Sequence, residues 1–109
     1  MTNHLRIGIG ILIFNNRNEM LLGKGISSHG ESSYAPVGGH LEFGKTFAEC
    51  AIREVLEETN LIIVNPQFIA VTNDIFAKAQ KHYVLIFLKA HCLNEHELQN
   101  PEPHKVENW

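Results

Sequence analysis

Apolar positions fall into a few runs whose spacing separates strand from helix. Leu5 to Phe14, LRIGIGILIF, is nearly continuous in aliphatic residues, the pattern of a strand buried on both faces. Gly8 and Gly10 interrupt one face of it. They leave room for a ligand or a bulge, or they let a neighbour pack closely. Asn15-Asn16-Arg17-Asn18 has turn composition, so Met20-Leu21-Leu22 is expected to pair back as the second strand. Lys24 to Ser33, rich in Gly and Ser and without period, is expected to be a loop at the rim of a pocket. Tyr34 to Gly39 then reads as a short strand and tight turn.

The helical period takes over after Thr46. Phe47, Ala48, Ala51, Ile52 and Val55 form one apolar stripe, which predicts an amphipathic helix burying that side. Thr46 and Glu49 have the spacing of a capping box, and Asn60 tolerates the left-handed conformation that ends a helix. Beyond it, Leu61 to Val64 and Gln67 to Phe76 read as extended, broken at Asn65-Pro66. Ala77 to Lys81 is a hairpin connection. His82 to His91, HYVLIFLKAH, is the strongest strand signal after the first, and Asn94 to Lys105, with Pro101 and Pro103, is a loop.

The polar side of the helix carries the candidate chemistry. Glu54, Glu57 and Glu58 stand three and four residues apart, which gathers their carboxylates into an arc of roughly 100°. Three anions on one face repel unless a cation neutralises them, and all-oxygen ligands suit Mg²⁺ or Mn²⁺ better than zinc. The bland reading is a solvated face laced by the four-residue pairs Glu49–Arg53 and Arg53–Glu57.

The stretch GGHLEFGKTFAECAIREVLEETN, Gly38 to Asn60, resembles the Nudix box. Gly39, Arg53, Glu54, Val55, Glu57, Glu58 and Leu61 stand where that pattern wants them. Lys45 replaces its first Glu and Asn60 its last Gly. In the family that Glu helps hold the box arginine and is a candidate base, so Lys45 is expected to repel Arg53 and leave the base role to Glu57. The resemblance implies an α+β Nudix fold, a mixed curved β-sheet packed against the Nudix helix, with residues 1–109 as one domain. The flanking likeness, including HYVLIFLKA and Glu107-Asn108-Trp109, is similar to the MutT-type branch. That branch hydrolyses nucleoside triphosphates, oxidised or modified purine nucleotides among them, to a monophosphate and pyrophosphate.

By the same resemblance the metal ligands are Glu54, Glu57, Glu58 and the Gly38 carbonyl; Glu57 and Arg53 are the catalytic residues; Gly39, His40 and Lys24 meet the substrate. Mg²⁺ or Mn²⁺ is the implied cofactor, and a nucleoside triphosphate or related nucleoside diphosphate derivative the implied partner. Glu102 or Glu107 is a further candidate metal carboxylate. The family fold continues past Trp109 into a last strand and a C-terminal helix. The expectation is therefore a C-terminally truncated domain, or a homodimer that hides the uncovered face. The alternative function is a nucleotide-binding or regulatory module on the same fold without turnover, which Lys45 and the early stop would permit.

Composition narrows the partners. A net charge of -3 argues against a broad electrostatic footprint for a nucleic acid polymer. Cys50 and Cys92 form no CxxC pattern and read as free thiols, and the seven histidines are not paired at zinc-ligand spacing. No signal peptide or membrane-length apolar run is evident, so the cytoplasm is the expected compartment.

Overall fold

The computed structural model describes residues 4–26, 32–101, 103 and 106–109, of which 24–26, 32–33 and 106–108 as backbone alone. Among the described residues there are eight regular elements: strands β1 (Leu5–Phe14), β2 (Gly23–Ile26), β3 (Ser32–Ala35) and β4 (Val37–His40), helix α1 (Phe47–Thr59), then strands β5 (Ile63–Phe76), β6 (Lys81–Cys92) and β7 (Val106–Asn108). A 3₁₀ turn, Glu95–Glu97, precedes β7.

β1 has the expected bounds and is central to the larger sheet, ordered β4-β1-β6-β5. It pairs parallel to β6 and antiparallel to β4, and β5 pairs antiparallel to β6, so this four-stranded sheet is mixed. On one face Ile9, Ile11 and Ile13 are buried, with Ile9 opposite Ile86 and Ile11 opposite Leu88. Burying each such side chain contributes about 1.5–3 kcal/mol. The other face of β1 is closed by side chains of its own sheet. A Cβ at Gly8 would lie 2.6 Å from Leu85 and one at Gly10 2.8 Å from the Phe87 ring. Close packing, not a ligand, therefore accounts for both glycines.

The second strand departs from expectation. Met20 makes only an isolated bridge to Phe14, and the Leu21 N–H donates to the Ile13 carbonyl. The strand forms later, at Gly23–Ile26, within the stretch expected to be a loop, because β3 and β7 supply its hydrogen-bonding partners in a second sheet ordered β3-β2-β7. Residues 27–31 of that expected loop lie outside the described residues. Asn65-Pro66 likewise does not split two strands. β5 runs through it with a register shift between Val64 and Gln67, and Asn65 adopts φ 49°. A bulge accommodates the proline, which cannot donate to the ladder.

α1 packs on β4, β1 and β5 with a rotated face. Cys50, Ala51, Val55 and Thr59 are buried, whereas Phe47 and Ile52 are 39% and 42% exposed. Apolar periodicity overlooked Thr59 because it is polar. Its hydroxyl donates to the Val55 carbonyl at 2.6 Å and accepts from the Leu61 N–H at 3.1 Å, which lets it be buried without an unmet hydrogen bond. The ends of the helix are as expected. Thr46 and Glu49 cap each other reciprocally at 3.1 Å, and Asn60 closes the last turn at φ 64°.

Candidate active site

Two neighbouring segments build the site: β4 with the loop after it, and the middle of α1. In the antiparallel ladder the Leu41 N–H donates to the Ile7 carbonyl, so the hydrogen-bonded pairs are Leu41 with Ile7 and, two residues on, Gly39 with Ile9. Alternation turns the peptide groups of Gly38 and His40 outward from β1. The His40 carbonyl accepts from the Cys50 thiol at 3.5 Å, while the outward carbonyl of Gly38 is free of the β1 ladder.

Gly39 faces α1. A Cβ there would stand 2.5 Å from the Glu54 carboxyl carbon and 2.7 Å from both its oxygens. The glycine is therefore the space into which Glu54 fits, and that side chain is only 15% exposed. Gly44, at φ 80°, turns the following loop, and the Lys45 N–H closes it on the Glu42 carbonyl at 3.2 Å.

Arg53 is the hub. Its guanidinium donates to Glu54 at 2.9 Å, to Glu57 at 3.0 Å, and is ion-paired with Glu42 from the loop. Partial burial works to lower its pKa, and the hydrogen bond to Glu57 with the charges of Glu54 and Glu42 outweighs that and raises it above the ordinary value. The expected repulsion between Lys45 and Arg53 therefore does not shape the cluster. Glu42, three residues earlier on the same turn, supplies a loop carboxylate for Arg53. The Glu49–Arg53 pair of the solvated-face reading is replaced as well, since Glu49 is spent on the Thr46 N–H. Its pKa is lowered by that backbone hydrogen bond first, and by the Thr46 side chain next.

The remaining candidates fall in different places. Glu58 lies one turn after Glu54, and its backbone carbonyl accepts from the Trp109 indole N–H at 2.9 Å. The same indole covers Gly23, the residue before Lys24, so the strand carrying Lys24 is tied to the end of α1 bearing Glu58. The Lys24 side chain itself lies outside the described residues, as do Glu102 and the Glu107 side chain. His40 is not with the acidic cluster. Being opposite Gly8 in the ladder, its side chain projects from the far face of the sheet and stacks on Tyr83, with centroids 6.0 Å apart and planes 10° apart.

Sequence reasoning missed Glu42 and Trp109. The signal for Glu42 was its presence on the Gly-rich turn before the helix. Trp109 entered only through the flanking likeness, and nothing local gives its contacts, which come from across the fold.

The donor set fits a hard divalent ion: carboxylates, one outward main-chain carbonyl and no nitrogen or sulfur ligand. Among the described residues no three His, Cys, Asp or Glu side chains already form a metal-holding group. Glu54 and Glu57 instead share Arg53, so an ion would have to compete with the guanidinium for their oxygens.

The NUDIX domain model matches residues 4–109. Among solved structures, a MutT NUDIX hydrolase from Burkholderia pseudomallei superposes with TM-score 0.83 at 22% identity, covering 94% of this chain and 78% of the other. A NUDIX hydrolase from Nitrosomonas europaea gives 0.77 at 18% identity, covering 96% of this chain and 70% of the other. The MutT protein from Methanosarcina mazei Go1 gives 0.76 at 21% identity, covering 97% and 75%. At these identities the structural likeness concerns the fold. No helix among the described residues is long and apolar enough to cross a membrane.

Proposed function

The chain belongs to the NUDIX domain family, and from that premise we propose that it hydrolyses nucleoside triphosphates to a nucleoside monophosphate and pyrophosphate. Modified purine nucleotides are included in that substrate class, and Mg²⁺ or Mn²⁺ is the ion required. The family generally uses divalent metal ions and acts on nucleoside diphosphate derivatives. The observation that carries the reading is the hub at Arg53, which gathers Glu42, Glu54 and Glu57 while Glu54 fills the space left by Gly39. A surface ion pair needs no such glycine.

Glu54 and Glu58, with Glu57 and the outward Gly38 carbonyl, are the residues that would hold the ion. Held there, the ion would supply charge neutralisation at the phosphates and make water a stronger nucleophile. Glu57, the most exposed of the three carboxylates paired to Arg53, takes the proton of the attacking water. Arg53 does not touch substrate in this scheme. It orients Glu54 and Glu57, with Glu42 bracing it from the other side.

The rival reading is a nucleotide-binding module without turnover. It draws on Lys45 and on the absence of a ready metal-holding group among the described residues. Release of pyrophosphate from nucleoside triphosphates in the presence and absence of Mg²⁺ separates the two. Metal-dependent release is expected; nucleotide binding with no release by any triphosphate would establish the module instead.

A further inference from the structure

A second feature adjoins the Arg53 hub and is not used by it. Where β1 begins and β4 runs into its loop there is a cleft of about 550 Å³, within the range of roughly 300–1,000 Å³ usual for ligand sites. Leu5 and Ile7 give it apolar wall, Phe43 stands fully exposed beside it, and its polar lining runs from Glu42 and Lys45 round the strand end to Arg6 and His40 on the far face.

The charges do not cancel. Glu42 is committed to Arg53, while among the described residues neither Arg6 nor Lys45 has a carboxylate within ion-pairing distance. Lys45 also directly precedes the N-cap of α1, at the positive end of the helix. A cation there is unfavourable for the helix, whereas a carboxylate would be favourable. Glu49 feels the Lys45 charge only as the weakest influence on its own pKa. The cleft therefore holds surplus positive charge at some expense to the helix, and the ligand chemistry that offsets it is anionic.

Glu42 connects this cleft to the hub, lining the one and bracing the other. We propose that Lys45 and Arg6 form an anion subsite for a substrate phosphate other than those the metal neutralises, making the chain selective for nucleoside triphosphates over nucleoside diphosphates whose second group is uncharged. This rests on the hydrolase reading above and specifies its substrate class. Lys45 is thus a specificity residue, not merely a lost glutamate.

The test uses binding first. Inorganic tripolyphosphate is titrated calorimetrically into the whole chain in the presence of chelator, so that no metal takes part. Lys45→Ala is expected to weaken binding about tenfold or more, the scale of one charge-assisted hydrogen bond lost. Arg6→Ala should act likewise, and Lys45→Arg should retain binding. Lys45→Glu should bind weakest yet melt higher than the parent, because it improves the helix terminus. In Mg²⁺-supported kinetics, Lys45→Ala should raise KM for a triphosphate while kcat holds. KM for a nucleoside diphosphate with an uncharged second group should not move.

Unchanged tripolyphosphate binding in Lys45→Ala, or an equal rise in KM for both kinds of substrate, overturns the subsite. The two readings fail separately. Absent turnover with tripolyphosphate binding still lost in Lys45→Ala sinks hydrolysis and keeps the subsite. Normal turnover with Lys45→Ala indistinguishable from the parent does the reverse.

Discussion

Two flanks of the same helix live under different rules. Cys50, Ala51, Val55 and Thr59 are sealed against the sheet, together with Ile9, Ile11 and Ile13 beneath them. One residue away, Arg53, Glu54 and Glu57 form ion pairs in which Arg53 and Glu57 remain 36% and 55% exposed. Burial of apolar surface carries most of the stability of a small domain, and exposed ion pairs contribute little. The exposed part of the charged flank, Arg53 and Glu57, can therefore be rearranged at small cost to the fold, and the apolar flank cannot. A chemistry that needs the carboxylates to exchange a guanidinium for another cation belongs on the first.

The comparison breaks if changing the charged flank unfolds the protein or if changing the apolar flank alters the chemistry of folded molecules. Glu57→Gln tests the first half most severely. It should lower turnover about 10²- to 10⁴-fold, the usual weight of a general base, while the melting temperature stays put. Normal turnover in this variant would remove Glu57 from its role. Ile11→Ala tests the second half. Ile11 is wholly buried, so truncation should cost about 2–5 kcal/mol and lower the melting temperature by roughly 10 °C or more. Activity per folded molecule should be kept, and a small thermal effect would mean that the core is not where the stability resides.

Gly39→Ala lies where the flanks meet and sharpens the distinction. The new methyl group would collide with the carboxylate end of Glu54, a flexible tip that can swing away. Stability should barely change, yet displacing that oxygen pair by about 1 Å can cost on the order of 10²-fold in rate. A large loss of stability with intact turnover would show that Gly39 serves the strand and not the glutamate. Glu42→Ala is milder. Loss of a supporting partner of this kind typically costs about 10- to 100-fold in metal affinity or activity, and a metal titration of the variant reads it directly.

The two flanks were also unequally legible in the sequence. β1, β6, the capping box and Asn60 could be read because each is decided by its own residues or immediate neighbours. The burial of Thr59 depends on hydrogen bonds to Val55 and Leu61 that apolar periodicity does not count. β2 formed among glycines because β3 and β7 pair with it, a long-range choice with no local pattern. At the site, the spacing of Arg53, Glu54 and Glu57 put them on one flank, but the loop partner of Arg53 depends on the turn at Gly44. His40, adjacent to Gly39 in sequence, is carried to the opposite face by strand alternation.

The smallest expected effect concerns the end of the helix that joins the two flanks, and it is read with pH. Hydrogen bonding to the Thr46 N–H lowers the Glu49 pKa in the folded protein below its unfolded value, which is about 4.3. A depressed carboxylate contributes stability that is fully present above the unfolded pKa and is lost as pH falls through the folded one. Glu19 acts in the same sense, its pKa lowered chiefly by the Asn15 side chain and then by Arg17, so the wild-type slope has at least two sources. Glu49→Gln isolates one of them, because glutamine can still accept from the Thr46 N–H but has no proton to gain. Melting curves from neutral pH down to pH about 3 should therefore fall less steeply for the variant. Parallel curves would mean that the charge on Glu49 is immaterial and the cap is held by Thr46 alone. Thr46→Ala should separately cost about 0.5–2 kcal/mol at neutral pH, with turnover of the folded fraction preserved because neither cap residue touches the Arg53 hub.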